Sequence, residues 1–133
     1  MVKAVVVSGK RKRSIARAVA RKGTGTVRIN SIDLNVYRSD FIRNMISEPL
    51  QMADKHADKL DISVNVEGGG PMSQAQAIRT AVAKAIVSYT EDEDLRQMFM
   101  DYDRTLLVND TRRSEPKKQL GRGARKKRQK SYR

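Results

Sequence analysis

Polar and apolar residues alternate in several short stretches of the chain, and this period is typical of strands that bury one face. The alternation is clear at residues 26–30 and 62–67. Residues 14–21 place alanine at every second position, which fits a strand, although alanine itself favours helix. We interpret this stretch as a strand because the glycine-containing loop at 22–25 has the length of a hairpin connection. A shorter apolar stretch at 4–8 predicts a further strand.

Elsewhere the apolar residues recur with the period of a helix. One helix is predicted to begin at Ser39, and Pro49 is placed to begin a second, since proline is favoured in the first turn. Capping boxes at 73–76 and 90–93 predict the starts of two more helices, because their side chains can satisfy free backbone N–H groups. A last apolar stretch at 105–108 predicts a short strand.

A triple glycine, Gly68, Gly69 and Gly70, connects the strand at 62–67 to the helix predicted from Gln74. A glycine turn before a helix can bind phosphate through free backbone N–H groups. This one lacks the spacing of a P-loop and that of a dinucleotide site. We therefore interpret it as a structural glycine turn that reverses the chain, with RNA phosphate contact as an addition and no nucleotide hydrolysis.

Composition narrows the class of protein. With 133 residues, 38% of them hydrophobic, the chain is long enough for one domain and an extension. It has no cysteine for a disulfide scaffold or for zinc, and no apolar run near the roughly 20 residues that span a bilayer. The apolar stretch at residues 5–7 is too short for an export signal. We expect a cytoplasmic protein with no membrane partner.

Positive charge is concentrated at both ends of the chain, whose net charge is +13. Residues 1–30 hold nine Lys/Arg and no acid, residues 111–133 hold eleven against Glu115 alone, and the middle has a net charge of −6. Such clusters repel themselves unless a polyanion binds them, so nucleic acid is the expected partner. An anionic membrane is the alternative, but the C-terminal segment has no apolar helical face to insert. That segment is expected to be disordered until a polyanion binds it.

No residue pattern predicts a catalytic or metal site. His56 is the only histidine, and it has no cysteine or second histidine as a co-ligand. The acids at 91–94 are more typical of partners of a helix dipole than of magnesium ligands. We expect no enzyme activity, no metal, no cofactor and no small-molecule substrate. An aromatic content of 5% favours recognition of backbone charge and shape over base stacking.

Three sets of residues share the order and spacing of one family's signature. The first set is Gly68, Gly69, Gly70, Ser73, Gln74, Ala77, Ala81, Ala83, Lys84, Ala85 and Ile86. The second is the opening glycine, basic cluster and alanine-rich strand at 9–18. The third lies at 115–118, 123–125 and 129–133. Together they resemble the universal family of small-subunit ribosomal protein nine, in its archaeal and eukaryotic branch. Gln119 and Arg128 stand where members of that branch often carry aromatic residues.

The resemblance implies an α/β (α+β) fold, a two-layer sandwich with helices packed on a four-stranded sheet, a left-handed crossover and an extended basic tail. It implies a globular RNA-binding domain at 1–108 and a tail at 109–133 that is disordered without RNA. The domain would bind ribosomal RNA in the head of the small subunit, beside other head proteins. The tail would extend toward the transfer RNA in the peptidyl site.

The site residues that follow are basic or lie at the C-terminus. Those expected to bind ribosomal RNA are Lys10, Arg11, Lys12, Arg13, Arg17, Arg112, Arg113, Lys117, Lys118, Arg122, Arg125, Lys126, Lys127 and Arg128. Those expected to contact transfer RNA are Lys130, Ser131, Tyr132 and Arg133. Two other functions stay open on the residues alone: a free-standing basic protein that condenses DNA or chaperones RNA, and a nucleotide-using enzyme.

Overall fold

The computed structural model describes residues 3–126 and has two layers, a β-sheet and the helices that cover one of its faces. The strands are β1 (Ala4–Arg11), β2 (Ser14–Lys22), β3 (Val27–Ile29), β4 (Ile32–Asp33) and β5 (Leu60–Glu67). The helices are α1 (Asp40–Met52), α2 (Asp54–Ala57), α3 (Pro71–Thr90) and α4 (Glu93–Tyr102). The predicted two-layer α/β sandwich is confirmed.

Within residues 3–126 the sheet has five strands, in the order β1-β2-β5-β3-β4, rather than the predicted four. The additional strand, β4, is two residues long and pairs antiparallel with β3 at the edge of the sheet. Asn30 and Ser31 make the turn between them with φ values of 50° and 69°, the left-handed conformation that two-residue hairpins need. A strand of two residues has no alternation from which it could have been predicted.

The predicted hairpin at residues 22–25 is wrong, because β5 lies between β2 and β3. β2 is antiparallel to β5 and β3 is parallel to it, so the loop passes over the end of β5. The Asp61 carboxylate holds the loop by accepting the backbone N–H groups of Thr24 at 2.9 Å and Thr26 at 3.1 Å. These hydrogen bonds lower the pKa of Asp61. The parallel strands β3 and β5 are joined by a crossover connection through β4, α1 and α2, as the resemblance implies, and its left-handed sense stays a prediction.

The core lies between α3 and the central strands, and small residues bring them close together. Ala16, Ala18 and Ala20 of β2 are fully buried against the helical layer, which confirms the predicted strand at 14–21. On β1, Gly9 faces α3 so closely that a Cβ there would overlap the carbonyl oxygen of Ala77. Gly9 therefore serves close packing rather than a turn.

Two helix starts differ from prediction. α1 continues through Pro49 to Met52, since the proline ring is buried in the core and Ala53 N–H bonds to the Pro49 carbonyl oxygen at 3.1 Å. α3 begins at Pro71 rather than Gln74, with Gly70 as its N-cap. Proline lacks the N–H that a first turn leaves free, which makes it suitable there.

The last two predicted elements also differ. Thr90 ends α3 and donates its hydroxyl to the Ile86 carbonyl oxygen at 2.8 Å, so it does not cap α4. Asp92 caps α4 instead, by accepting the N–H groups of Asp94 and Leu95. Residues Arg104–Leu106 form a 3₁₀ turn rather than a strand, and its Leu106 is fully buried.

Candidate nucleic-acid interface

The first predicted basic cluster surrounds the turn between β1 and β2. Lys10 and Arg11 are the last residues of β1, which extends beyond the predicted stretch 4–8. Lys12 and Arg13 form a two-residue turn before Ser14 begins β2. The side chains of Lys10, Lys12 and Arg13 are exposed. Because β1 is an edge strand, this β1–β2 turn projects from a corner of the sheet.

Arg11 differs from its neighbours because its guanidinium is used inside the protein. Nε donates to Oε1 of Gln76 on α3 at 2.7 Å, and Nη1 donates to the carbonyl oxygen of Arg112 at 2.9 Å. The side chain is only 16% exposed. Arg11 thus joins the end of β1 to the central helix and to the start of the tail.

The chain returns to the same corner at Asp110, which forms an isolated bridge with Arg11. The Asp110 carboxylate accepts hydrogen bonds from Nε of Arg112 at 3.1 Å and from Nη2 at 2.8 Å, which makes a bidentate ion pair. It also lies 3.8 Å from Nε of Arg11. The hydrogen bonds from Arg112, aided by the charge of Arg11, lower the pKa of Asp110 strongly. We call residues 109–112 the tail root.

Asn109 secures the other side of the tail root. Its Oδ1 accepts Nζ of Lys84 on α3 at 2.9 Å and the backbone N–H of Lys10 at 3.2 Å. Lys84 Nζ also donates to the carbonyl oxygen of Ser8 at 3.0 Å. Burial, with the nearby charge of Lys10, lowers the pKa of Lys84. Two basic segments far apart in sequence therefore start from one corner of the molecule.

The tail root should respond to acid in a predictable way. A depressed carboxylate pKa means that the Asp110 contacts are present above its ordinary value of about 3.8 and are lost only as the pH falls through the lower folded value. Replacing Arg112 with glutamine should raise the pKa of Asp110 toward that ordinary value. The pKa of Asp110 in the parent protein and in the variant is measured by following the chemical shift of its carboxyl carbon by NMR in the full chain. Lys117→Gln is the matched control and should leave the titration unchanged; an Asp110 that titrates at its ordinary value in the parent protein would contradict the described pairing.

A cleft opens between the β1–β2 turn, the glycine turn and the tail. Its volume is about 460 Å³, and its cationic lining comes from Lys12, Arg13 and Arg113. Gly70 and Ser73, at the first turn of α3, form the opposite wall. Three cations from two distant segments thus face one space, where they can neutralise backbone phosphates.

The glycine turn reverses the chain at Gly68 and Gly69. Gly68 and Gly69 have φ values of 80° and 66°, and a Cβ on Gly68 would lie 2.5 Å from the carbonyl oxygen of Arg13. The Gly68 carbonyl oxygen accepts Oγ of Ser14 at 2.9 Å and Nε2 of Gln74 at 3.0 Å. The turn is therefore packed directly under the basic β1–β2 turn and supports it.

Beyond the tail root, the described part of the tail has no helix or strand and is largely exposed. Glu115 pairs with Arg125 at 3.1 Å and with Lys118 at 4.0 Å. The exposed basic residues predicted to bind RNA in this part are Arg113, Lys117, Lys118, Arg122, Arg125 and Lys126. The predicted site residues Lys127, Arg128, Lys130, Ser131, Tyr132 and Arg133 lie outside the described residues.

The sequence matches the family Ribosomal protein S9/S16 over residues 9–133. The chain belongs to this family. It is 54% identical to the small ribosomal subunit protein uS9 of Thermoplasma acidophilum over 97% of this chain and 100% of that protein. It is 49% identical to that of Thermoplasma volcanium over 97% of this chain and 98% of the relative, and 46% identical to that of Methanococcus maripaludis over 99% and 100%. The resemblance to small-subunit ribosomal protein nine of archaeal type is confirmed, and with it a structural role in the small subunit.

The open face of the sheet carries exposed arginines that are not among the predicted RNA-binding residues. Arg17, which was predicted, lies on the open face of the sheet, where Glu67 is 3.5 Å away. Arg21 and Arg28 lie on the same open face and are exposed, yet neither was selected. The signal was available, because alternation places every second residue of β2 on the face opposite the buried alanines.

Neither a membrane span nor a metal cluster is found in the part of the chain from residue 3 to residue 126. None of its helices is long and apolar enough to cross a bilayer. The same residues bring no three potential ligands together around a space for a metal ion.

Proposed function

We propose that the protein binds ribosomal RNA in the head of the small subunit through the β1–β2 turn and the tail. We further propose that the tail extends toward the transfer RNA in the peptidyl site. The observation that carries the proposal is the convergence of Lys12, Arg13 and Arg113 on one cleft. These cations can neutralise adjacent phosphates of one RNA backbone, and arginine can do so with two parallel hydrogen bonds.

The tail root fixes the point at which the basic tail leaves the folded core. Arg11, Lys84 and Asp110 fix residues 109–112 against the folded core, so the basic residues that follow leave from a defined point. We propose a globular domain at residues 1–108 and a tail at 109–133 whose shape beyond the root is set by folded RNA. A flexible polycation can enter crevices between RNA helices that a folded domain cannot. Other proteins of the subunit head are the proposed neighbours, in the cytoplasmic ribosome.

The transfer RNA contact is tested by removing Arg133 alone. Small subunits assembled with this variant should sediment normally but bind transfer RNA in the peptidyl site about tenfold to a hundredfold more weakly, since one charge-assisted contact contributes about 1.5–3 kcal/mol. Filter binding of labelled transfer RNA measures the loss. Arg96→Gln is the control, because Arg96 lies on α4 and pairs with Glu93 at 3.7 Å. Unchanged binding would refute the contact, and failed assembly would show that the residue has an architectural role instead.

A further inference from the structure

An apolar groove separates α2 and the end of α1 from α4. Its volume is about 370 Å³, and its apolar lining comes from Met52, Leu95 and Met98. Leu95 is buried, whereas the Met98 side chain is 41% exposed. Methionine side chains are unbranched and flexible, and they adapt to the stems of other long side chains.

The rim of this groove is mainly acidic: three aspartates line it, and Lys55 is the one lysine or arginine among the lining residues. The Asp92 carboxylate already has partners within the protein, because it caps α4 and its Oδ2 lies 3.2 Å from Nε2 of His56. Asp54 and Asp94 are exposed, and neither forms an ion pair with another residue of the described range 3–126. Two carboxylates therefore flank an apolar channel with their charges available.

This acidity contrasts with the rest of the molecule. Residues 91–103 carry six acids against Arg96 alone, in a protein of net charge +13. The groove belongs to the helical layer, whereas Arg17, Arg21 and Arg28 lie on the opposite face of the sheet. Phosphate would be repelled at the groove and attracted at the basic surfaces.

We propose that the groove binds a Lys/Arg-rich segment of a neighbouring protein of the small subunit. The aliphatic stems of the lysines and arginines would lie over Met52 and Met98, with their charged ends at Asp54 and Asp94. Charge complementarity selects a cationic polypeptide over RNA for this surface. The inference rests on the proposed function, because it takes the basic surfaces to be occupied by RNA.

Photo-cross-linking in assembled small subunits tests the proposal. The full chain carries p-benzoylphenylalanine in place of Met98, and a second preparation carries it in place of Lys12. Position 98 should cross-link to a Lys/Arg-rich peptide of another ribosomal protein, read by mass spectrometry, while position 12 should cross-link to RNA. The two positions separate the hypotheses: failure at position 98 alone overturns the groove proposal, and failure at position 12 alone counts against the proposed RNA surface.

Charge reversal identifies what holds the partner. Asp54→Lys with Asp94→Lys should reduce the cross-link from position 98 about tenfold, because two exposed attractions become repulsions. Asp101→Lys, an exposed acid of α4 outside the groove lining, is the matched control and should leave the yield unchanged. Cross-links from position 98 to RNA, to the chain's own tail or to nothing would each overturn the proposal, as would a yield that the double variant does not change.

Discussion

Replacing Gly9 with valine is expected to destabilise the folded core by about 3 kcal/mol, at the upper end of what overpacking usually costs. A Cβ at this position would overlap the Ala77 carbonyl oxygen and lie 2.7 Å from the backbone nitrogen of Ala81 and 3.1 Å from Cβ of Thr80. Two of these three neighbours are backbone atoms of α3, so no rotamer change can relieve the clash. The helix would have to move away from β1 and open the interface around which the core is built.

The effect is measured by urea or thermal unfolding of the isolated chain. A loss of this size should lower the Tm by about 10 °C for a domain of this length. Gly70→Ala is the matched control, because a Cβ there meets no heavy atom within 4 Å and the backbone φ of −105° is ordinary. Its cost should stay within about 1 kcal/mol. Equal stability of the two variants would show that α3 does not lie as close to β1 as described.

The second large effect concerns RNA. Deleting residues 119–133 removes seven Lys/Arg, each of which can neutralise a phosphate. The logarithm of affinity falls with the logarithm of salt by roughly 0.7 to 0.9 for each phosphate neutralised, so the deletion should reduce that slope by as much as about 6. The full chain should lose about a thousandfold or more in affinity between 50 and 200 mM salt, and the truncated chain far less.

Substitutions of one or two cations provide reference values for the change in slope. Lys12→Gln with Arg13→Gln should lower the slope by about 1 to 2, because two exposed cations of the cleft are lost while the tail remains. Arg96→Gln should not change it, since Arg96 lies among acids on α4 and is paired with Glu93 at 3.7 Å. A tail deletion that changed the slope no more than Arg96→Gln would show that the tail does not contact phosphate.

The pattern of polar and apolar residues predicted the elements whose formation depends on residues close together in the sequence. Alternation located β2 and β5 because each buries one face along its whole length. It could not show that β5 inserts between β2 and β3, since strand order depends on pairing between distant residues. The capping boxes failed for a related reason: Gln76 bonds to Arg11 of β1, and the Thr90 hydroxyl bonds within its own helix, so neither serves the backbone as its spacing suggests.

The candidate site shows the same division. The clustering of Lys and Arg located both basic segments, because the charge of a segment can be counted from its sequence without knowing its structure. It gave no sign that Arg11 would be committed inside the protein or that Asp110 and Asn109 would fix the tail root beside it. The residues in those contacts stand about a hundred positions apart, and only the fold brings them within hydrogen-bond distance. The sequence therefore predicted where positive charge is concentrated but not that the two basic segments meet at one corner.

The salt dependence of binding to small-subunit ribosomal RNA shows whether both basic segments contact phosphate. The slopes of the full chain, the chain without residues 119–133 and the Lys12→Gln, Arg13→Gln chain should be compared by fluorescence anisotropy. Three different slopes are expected, steepest for the full chain, with the largest decrease on loss of the tail. One common slope for all three chains would contradict that expectation.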